Sequence, residues 1–114
     1  NGTIVLHDMN PPTADIARPS PEGGNVASWC GTSWQGFVEF RAKRSDLEMY
    51  VVDTDWGCGV IRRGKQKVYS GPYESYEDLE KNRQSALNLI AVDEFLRRVP
   101  VSMKCKLRAL ALGR

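Results

Sequence analysis

Hydrophobic and polar positions along the chain fall into short blocks whose period changes from strand to helix and back. Thr3-Ile4-Val5-Leu6-His7 is a brief run of β-branched and aliphatic residues with no polar alternation. That is the pattern of a strand buried on both faces, and it predicts a central parallel strand. Residues 8–25 hold Pro11, Pro12, Pro19, Pro21, Gly23 and Gly24. Neither a ladder nor a helix tolerates that density, so a long irregular loop is expected. From a cap at Thr32 or Ser33, Trp34, Phe37, Val38 and Ala42 fall on one face of a helix running to about Lys43, with Gln35, Glu39, Arg41 and Lys43 on the other. Leu47 to Asp53 returns to a strand pattern. Strand, helix, strand in this order reads as a right-handed parallel crossover.

Asp55-Trp56-Gly57-Cys58-Gly59 then forms a turn into a further strand, Val60 to about Val68. So short a connection requires an antiparallel pair, which makes the sheet mixed. Between Ser75 and Arg98 the pattern predicts one helix to about Leu89 and a second from Asp93 as cap. Residues 99–114 carry Lys104, Lys106, Arg108 and Arg114 without an acid, with Leu107, Leu110 and Leu112 hinting at a weak helix or an extended edge piece. The class is therefore α/β, with residues 1–97 as the domain and 98–114 as a basic C-terminal tail. A central first strand needs a neighbour on its far edge. A homo-oligomer is the favoured source, ahead of a separate N-terminal half or a C-terminal stretch that folds back.

Composition narrows the partners. A chain of 114 residues with 41% hydrophobic and 26% charged positions is one globular domain. Its net charge of +2 names no nucleic-acid partner. Arg62, Arg63, Lys65 and Lys67 form a basic group without interleaved aromatics, so a solvated strand is the plainer reading and nucleic acid is not expected. Cys30, Cys58 and Cys105, at wide spacing beside a single histidine, cannot build a standard structural zinc site. Reduced thiols in a cytoplasmic protein are expected. No apolar run approaches the roughly 20 residues that span a bilayer, so no membrane partner is expected. Opening on Asn1-Gly2 directly into an apolar strand suggests a cut or processed chain.

Candidate chemistry gathers at few positions. His7 and Asp8 stand at the carboxyl end of the first strand, the edge where open α/β sheets place ligands. They read as a catalytic pair, with a cap and a single hydrogen bond as the structural alternative. Trp29, Trp34 and Trp56 are candidates for lining a substrate pocket, or for core. Val51-Val52-Asp53-Thr54-Asp55-Trp56-Gly57-Cys58-Gly59 has the look of an acidic glycine-rich cofactor loop. It leads into a β-branched strand rather than a helix N-terminus, however, so a hairpin turn is favoured.

Several stretches together carry a resemblance. They are Gly2-Thr3-Ile4-Val5-Leu6-His7-Asp8 with Asn10-Pro11-Pro12, Trp29-Cys30-Gly31-Thr32-Ser33-Trp34, Val51 to Ile61, and Tyr76-Glu77-Asp78-Leu79-Glu80-Lys81-Asn82-Arg83 leading to Leu87-Asn88-Leu89-Ile90. Over about residues 1–97 the chain resembles the C-terminal half of the Rossmann-like domain of bacterial class I S-adenosylmethionine-dependent methyltransferases. The resemblance implies that residues 3–7, 47–53 and 60–68 are that family's fifth, sixth and seventh strands, the last antiparallel. It implies a small-molecule methyl acceptor, and an acidic metal ligand at Asp8 in metal-assisted relatives, with His7 as general base. It also implies that S-adenosylmethionine is held by the preceding half, so that this chain alone is inactive. The competing expectation is a non-enzymatic α/β module that oligomerises through its open sheet edge.

Overall fold

A computed structural model describes residues 2–99. The basic tail expected over 98–114 lies outside the described residues from 100 onward. The elements are β1 (Thr3–Leu6), a short 3-10 turn (Val26–Ser28), α1 (Ser33–Lys43), β2 (Leu47–Val52), β3 (Cys58–Arg63), α2 (Tyr76–Leu87), β4 (Leu89–Ile90) and α3 (Val92–Arg98). They form a small α/β domain around one mixed sheet of order β1-β3-β2-β4. No helix among the described residues is long and apolar enough to cross a membrane.

β3 pairs antiparallel with both neighbours, Thr3 opposite Arg62 on one side and Leu47 opposite Arg63 on the other. β1 and β2 therefore point the same way with β3 between them, and the expected crossover is a split one. β4 adds a parallel pairing to β2, Val51 with Leu89 and Val52 with Ile90. This corrects the reading of the first strand. β1 is an edge strand with an antiparallel partner, and Ile4 and Val5, which point to opposite faces, are 57% and 66% exposed. The run buried on both faces is Met49-Tyr50-Val51-Val52 of β2. The two runs have the same composition pattern. What separates them is that the hairpin returns β3 to the inner side of β1, whose outer side has no partner among the described residues.

The sheet carries two unequal layers. On one face Trp34, Phe37 and Val38 of α1 and Leu79, Ala86 and Leu87 of α2 pack on Met49, Val51 and Ile61, with Met9 and Tyr69 joining from loops. On the other, Tyr50, Val52, Val60 and Ile90 form a smaller cluster with Phe95 and Cys58 against it. The β2–β3 register pairs Met49 with Ile61 and Tyr50 with Val60, which assigns each pair to its own face.

Local chemistry sets the ends of the elements. A capping box starts α2, with Ser75 Oγ accepting from Asp78 N and Asp78 Oδ2 accepting from Ser75 N. Asn88 stops the helix in a left-handed conformation, φ +48, and donates through Nδ2 to Met49 O at 2.9 Å, so β4 follows where an irregular break was expected. α3 begins at Val92 with Ala91 at its cap position, rather than from Asp93. Arg41, placed by the sequence on the polar face of α1, is buried. Its guanidinium donates to Ala86 O (3.1 Å), Ser85 O (2.7 Å) and Gln66 Oε1 (2.8 Å), and so closes the carboxyl end of α2. Burial lowers its pKa. β3 stops at Arg63 because the chain beyond Gly64 bonds elsewhere: Gln66 Nε2 donates to Arg44 O and Tyr69 N to Arg41 O.

Candidate functional site

Because β1, β2 and β4 run in one direction, the segments following β1 and β2 lie along one edge of the sheet. Asp8 to Pro12 leaves β1 there, and Asp53 to Gly57 joins β2 to β3. The second segment is strained. Asp55, Trp56 and Gly57 have φ of +47, +58 and +92, and Asp8 across the edge has +61. A bulky residue in the left-handed region costs of order 1–2 kcal/mol. The surrounding backbone holds it there, with Met9 N donating to Gly57 O (3.0 Å) and Asn10 N to Trp56 O (2.7 Å). The close approach also explains Gly57, since a Cβ at that position would fall 2.5 Å from Asn10 N.

His7 sits between two carboxylates of different origin. Its Nδ1 lies 2.8 Å from Asp8 Oδ1 and its Nε2 2.9 Å from Asp55 Oδ2. The hydrogen bond to Asp55, followed by the contact with Asp8, raises the imidazole pKa above 6.5. Beside this pair, Asn10 Nδ2 reaches Asp53 Oδ1 at 3.4 Å, and Asn10 Oδ1 accepts from Arg83 Nη1. Arg83, on α2, also donates to Pro11 O (2.8 Å) and Tyr76 OH (2.9 Å), with its guanidinium 5.7 Å from the Tyr76 ring centre. It fastens the loop after β1 to the helical layer. Asn10, Asp53, Thr54, Asp55, Trp56 and Arg83 line a cavity of about 380 Å³ at this edge. A larger hollow of about 730 Å³ lies between residues 65–71 and the end of α2, away from the His7 cluster.

The structure sorts the sequence candidates. His7 and Asp8 come together and gain Asp55. Of the tryptophans, only Trp56, 36% exposed, lines this cavity. Trp34 is 2% exposed and packs in the core, and it also borders a separate hollow of about 330 Å³ between the proline-rich loop and the start of α2, away from the His7 cluster. Trp29 is half-buried and spends its Nε1 on Arg18 O at 2.8 Å, pinning the proline-rich loop. Sequence reasoning did not single out Asp53, Asp55 or Arg83 as site residues. Their signal was the acidic turn and the helical spacing of Tyr76 and Arg83, which places both on one face.

Nucleophile and metal chemistry find less support. The Cys30 thiol, buried near Asp8, is pushed up to about 11, mainly by burial and then by the Asp8 charge, so it stays protonated at neutral pH. Burial raises Cys58 as well. No group of three or more His, Cys, Asp or Glu side chains among the described residues is placed to hold a metal ion, and Asp8 is engaged with His7. The glycines at 57 and 59 lead into β3 and present no helix N-terminus, so this turn does not fit a dinucleotide or S-adenosylmethionine cradle. No family model, curated protein or solved structure matches the chain.

Proposed function

We propose that the chain is the acceptor-holding part of a class I S-adenosylmethionine-dependent methyltransferase-like domain that modifies a small molecule. His7 is the general base, and Asp8 and Asp55 are its carboxylate partners. The carrying observation is the placement of His7 between carboxylates from two separate strand ends, at the edge where parallel strands deliver their ligands. The split crossover, with β3 antiparallel to both neighbours, supports the assignment of the strands to the family's fifth, sixth and seventh.

The chemistry available to these residues is proton transfer. With Nδ1–H directed at Asp8, Nε2, which lies 2.9 Å from Asp55 Oδ2, serves as a base once the acceptor hydroxyl takes the place of the Asp55 carboxylate, and it then accepts the hydroxyl proton as that oxygen becomes nucleophilic. Asp55 then pairs with the imidazolium that forms. The methyl donor is held outside the described residues in this reading, so the chain on its own is inactive.

Calorimetry of the chain with S-adenosylmethionine tests the division of labour: no micromolar binding is expected, and its detection overturns it. The upstream reading frame tests the family. A strand, an acidic glycine-rich loop and a helix encoded just before Asn1 support the enzyme, and a stop or start codon there rejects it. The open β1 edge, with Ile4 and Val5 exposed on both faces, favours one second reading: a non-enzymatic module that assembles as a homo-oligomer through that edge.

A further inference from the structure

The cavity at the carboxyl edge has a composition that discriminates among acceptors, an inference that rests on reading this edge as the acceptor end. Its volume of about 380 Å³ is at the lower end of the range for ligand pockets, about 300–1,000 Å³. The polar groups are planar and fork-shaped: two carboxylates (Asp53, Asp55), the Asn10 amide and the Arg83 guanidinium. Planar groups of this kind contact pairs of adjacent hydroxyls two at a time. Charge is partly offset, since the Arg83 guanidinium shares the lining with the two carboxylates and His7 Nε2 lies 2.9 Å from Asp55. A strongly anionic ligand is repelled by such a lining, whereas a neutral ligand with several hydroxyls finds the carboxylate lone pairs that His7 and Asn10 leave unused. One wall is the Trp56 indole, displayed in a left-handed backbone conformation that two main-chain hydrogen bonds to the β1 loop maintain. An aromatic face gives apolar area to an aliphatic C–H surface and demands no counter-charge.

We propose that this cavity takes a polyhydroxylated acceptor the size of one sugar ring, its C–H face on Trp56 and adjacent hydroxyls on Asp53 and on the Asn10–Arg83 pair. Saturation-transfer NMR on the full chain, with the methyl glycosides of glucose, galactose and mannose as probes, tests it without any methyl donor. Phenol and tetramethylammonium serve as aromatic and cationic competitors. The expected result is transfer to the ring protons of at least one glycoside, and about tenfold weaker binding in Trp56→Asn, the size of one lost aromatic contact. Asn tolerates the left-handed backbone, so that variant keeps its fold, and its melting temperature checks this. Trp56→Phe retains part of the binding. Absence of transfer to every glycoside, preference for phenol or tetramethylammonium, or unchanged glycoside binding in Trp56→Asn overturns the inference. Each of these leaves the proposed methyltransferase reading to its own tests by calorimetry and upstream sequence.

Discussion

The two faces of β2 bury neighbouring residues of one strand under very different cover. Met49 and Val51 lie beneath two helices and a cluster that includes Trp34, Phe37 and Leu79. Among the described residues, Tyr50 and Val52 meet Val60, Ile90, Cys58 and the flank of α3. The difference teaches where stability resides. The helical layer of α1 and α2 carries the larger cluster among the described residues, while the opposite face carries a smaller one and the β1 edge leaves Ile4 and Val5 exposed. The site at the carboxyl edge is consequently organised by polar contacts and backbone strain laid over a core that it does not share.

The largest test of this contrast is a pair of truncations followed by urea unfolding. Phe37→Ala should cost about 3–5 kcal/mol, as aromatic truncation in a dense core does. Val60→Ala on the thin face should cost about 1–2 kcal/mol for two methyl-sized groups. Equal losses would erase the comparison. Next comes Arg41→Met, which takes the Arg41 donor from the buried Ala86 carbonyl and the partly buried Ser85 carbonyl and should cost about 1–3 kcal/mol. If the denaturation midpoint does not move, the guanidinium does not close α2.

A smaller effect belongs to the edge itself. His7 is the single histidine, so its ring proton resonance can be followed alone through a titration. The midpoint should lie above 6.5 in the wild type and move back toward 6.5 in Asp55→Asn. Because the folded pKa is raised, the stabilisation is fully present below 6.5 and is lost as pH rises through the folded value. An unchanged midpoint in Asp55→Asn would remove Asp55 from the site. The smallest expected change is Tyr50→Phe. The Tyr50 hydroxyl is buried without a hydrogen-bond partner among the described residues, so its removal should leave stability within ~0.5 kcal/mol. A loss well beyond that would show the thin face to be more tightly organised than its contacts indicate.

Much of the architecture was legible because it depends on local rules. The α1 face, the hairpin between β2 and β3, the loop after His7 and the start of α2 follow from periodicity, turn residues and caps. The position of β1 was not legible. Thr3-Ile4-Val5-Leu6 and Met49-Tyr50-Val51-Val52 read alike, and only the order in which strands assemble exposes the first and buries the second. Arg41 was misplaced for a similar reason: helical spacing assigns a face, but the carbonyl ends of another helix decide whether a cation is drawn inward. In the site, His7 and Asp8 were legible as neighbours on a strand end. Asp55 is 48 positions away from His7, and no local pattern announces that pairing.

The left-handed backbone at Trp56 sets selection for foldability against selection for recognition at a single codon. Glycine or asparagine would relax that turn at no cost to the core. In a randomised library sorted only for resistance to proteolysis, position 56 should drift away from tryptophan. In the same library sorted for ligand capture it should not, and the divergence between the two populations would measure what the indole is for.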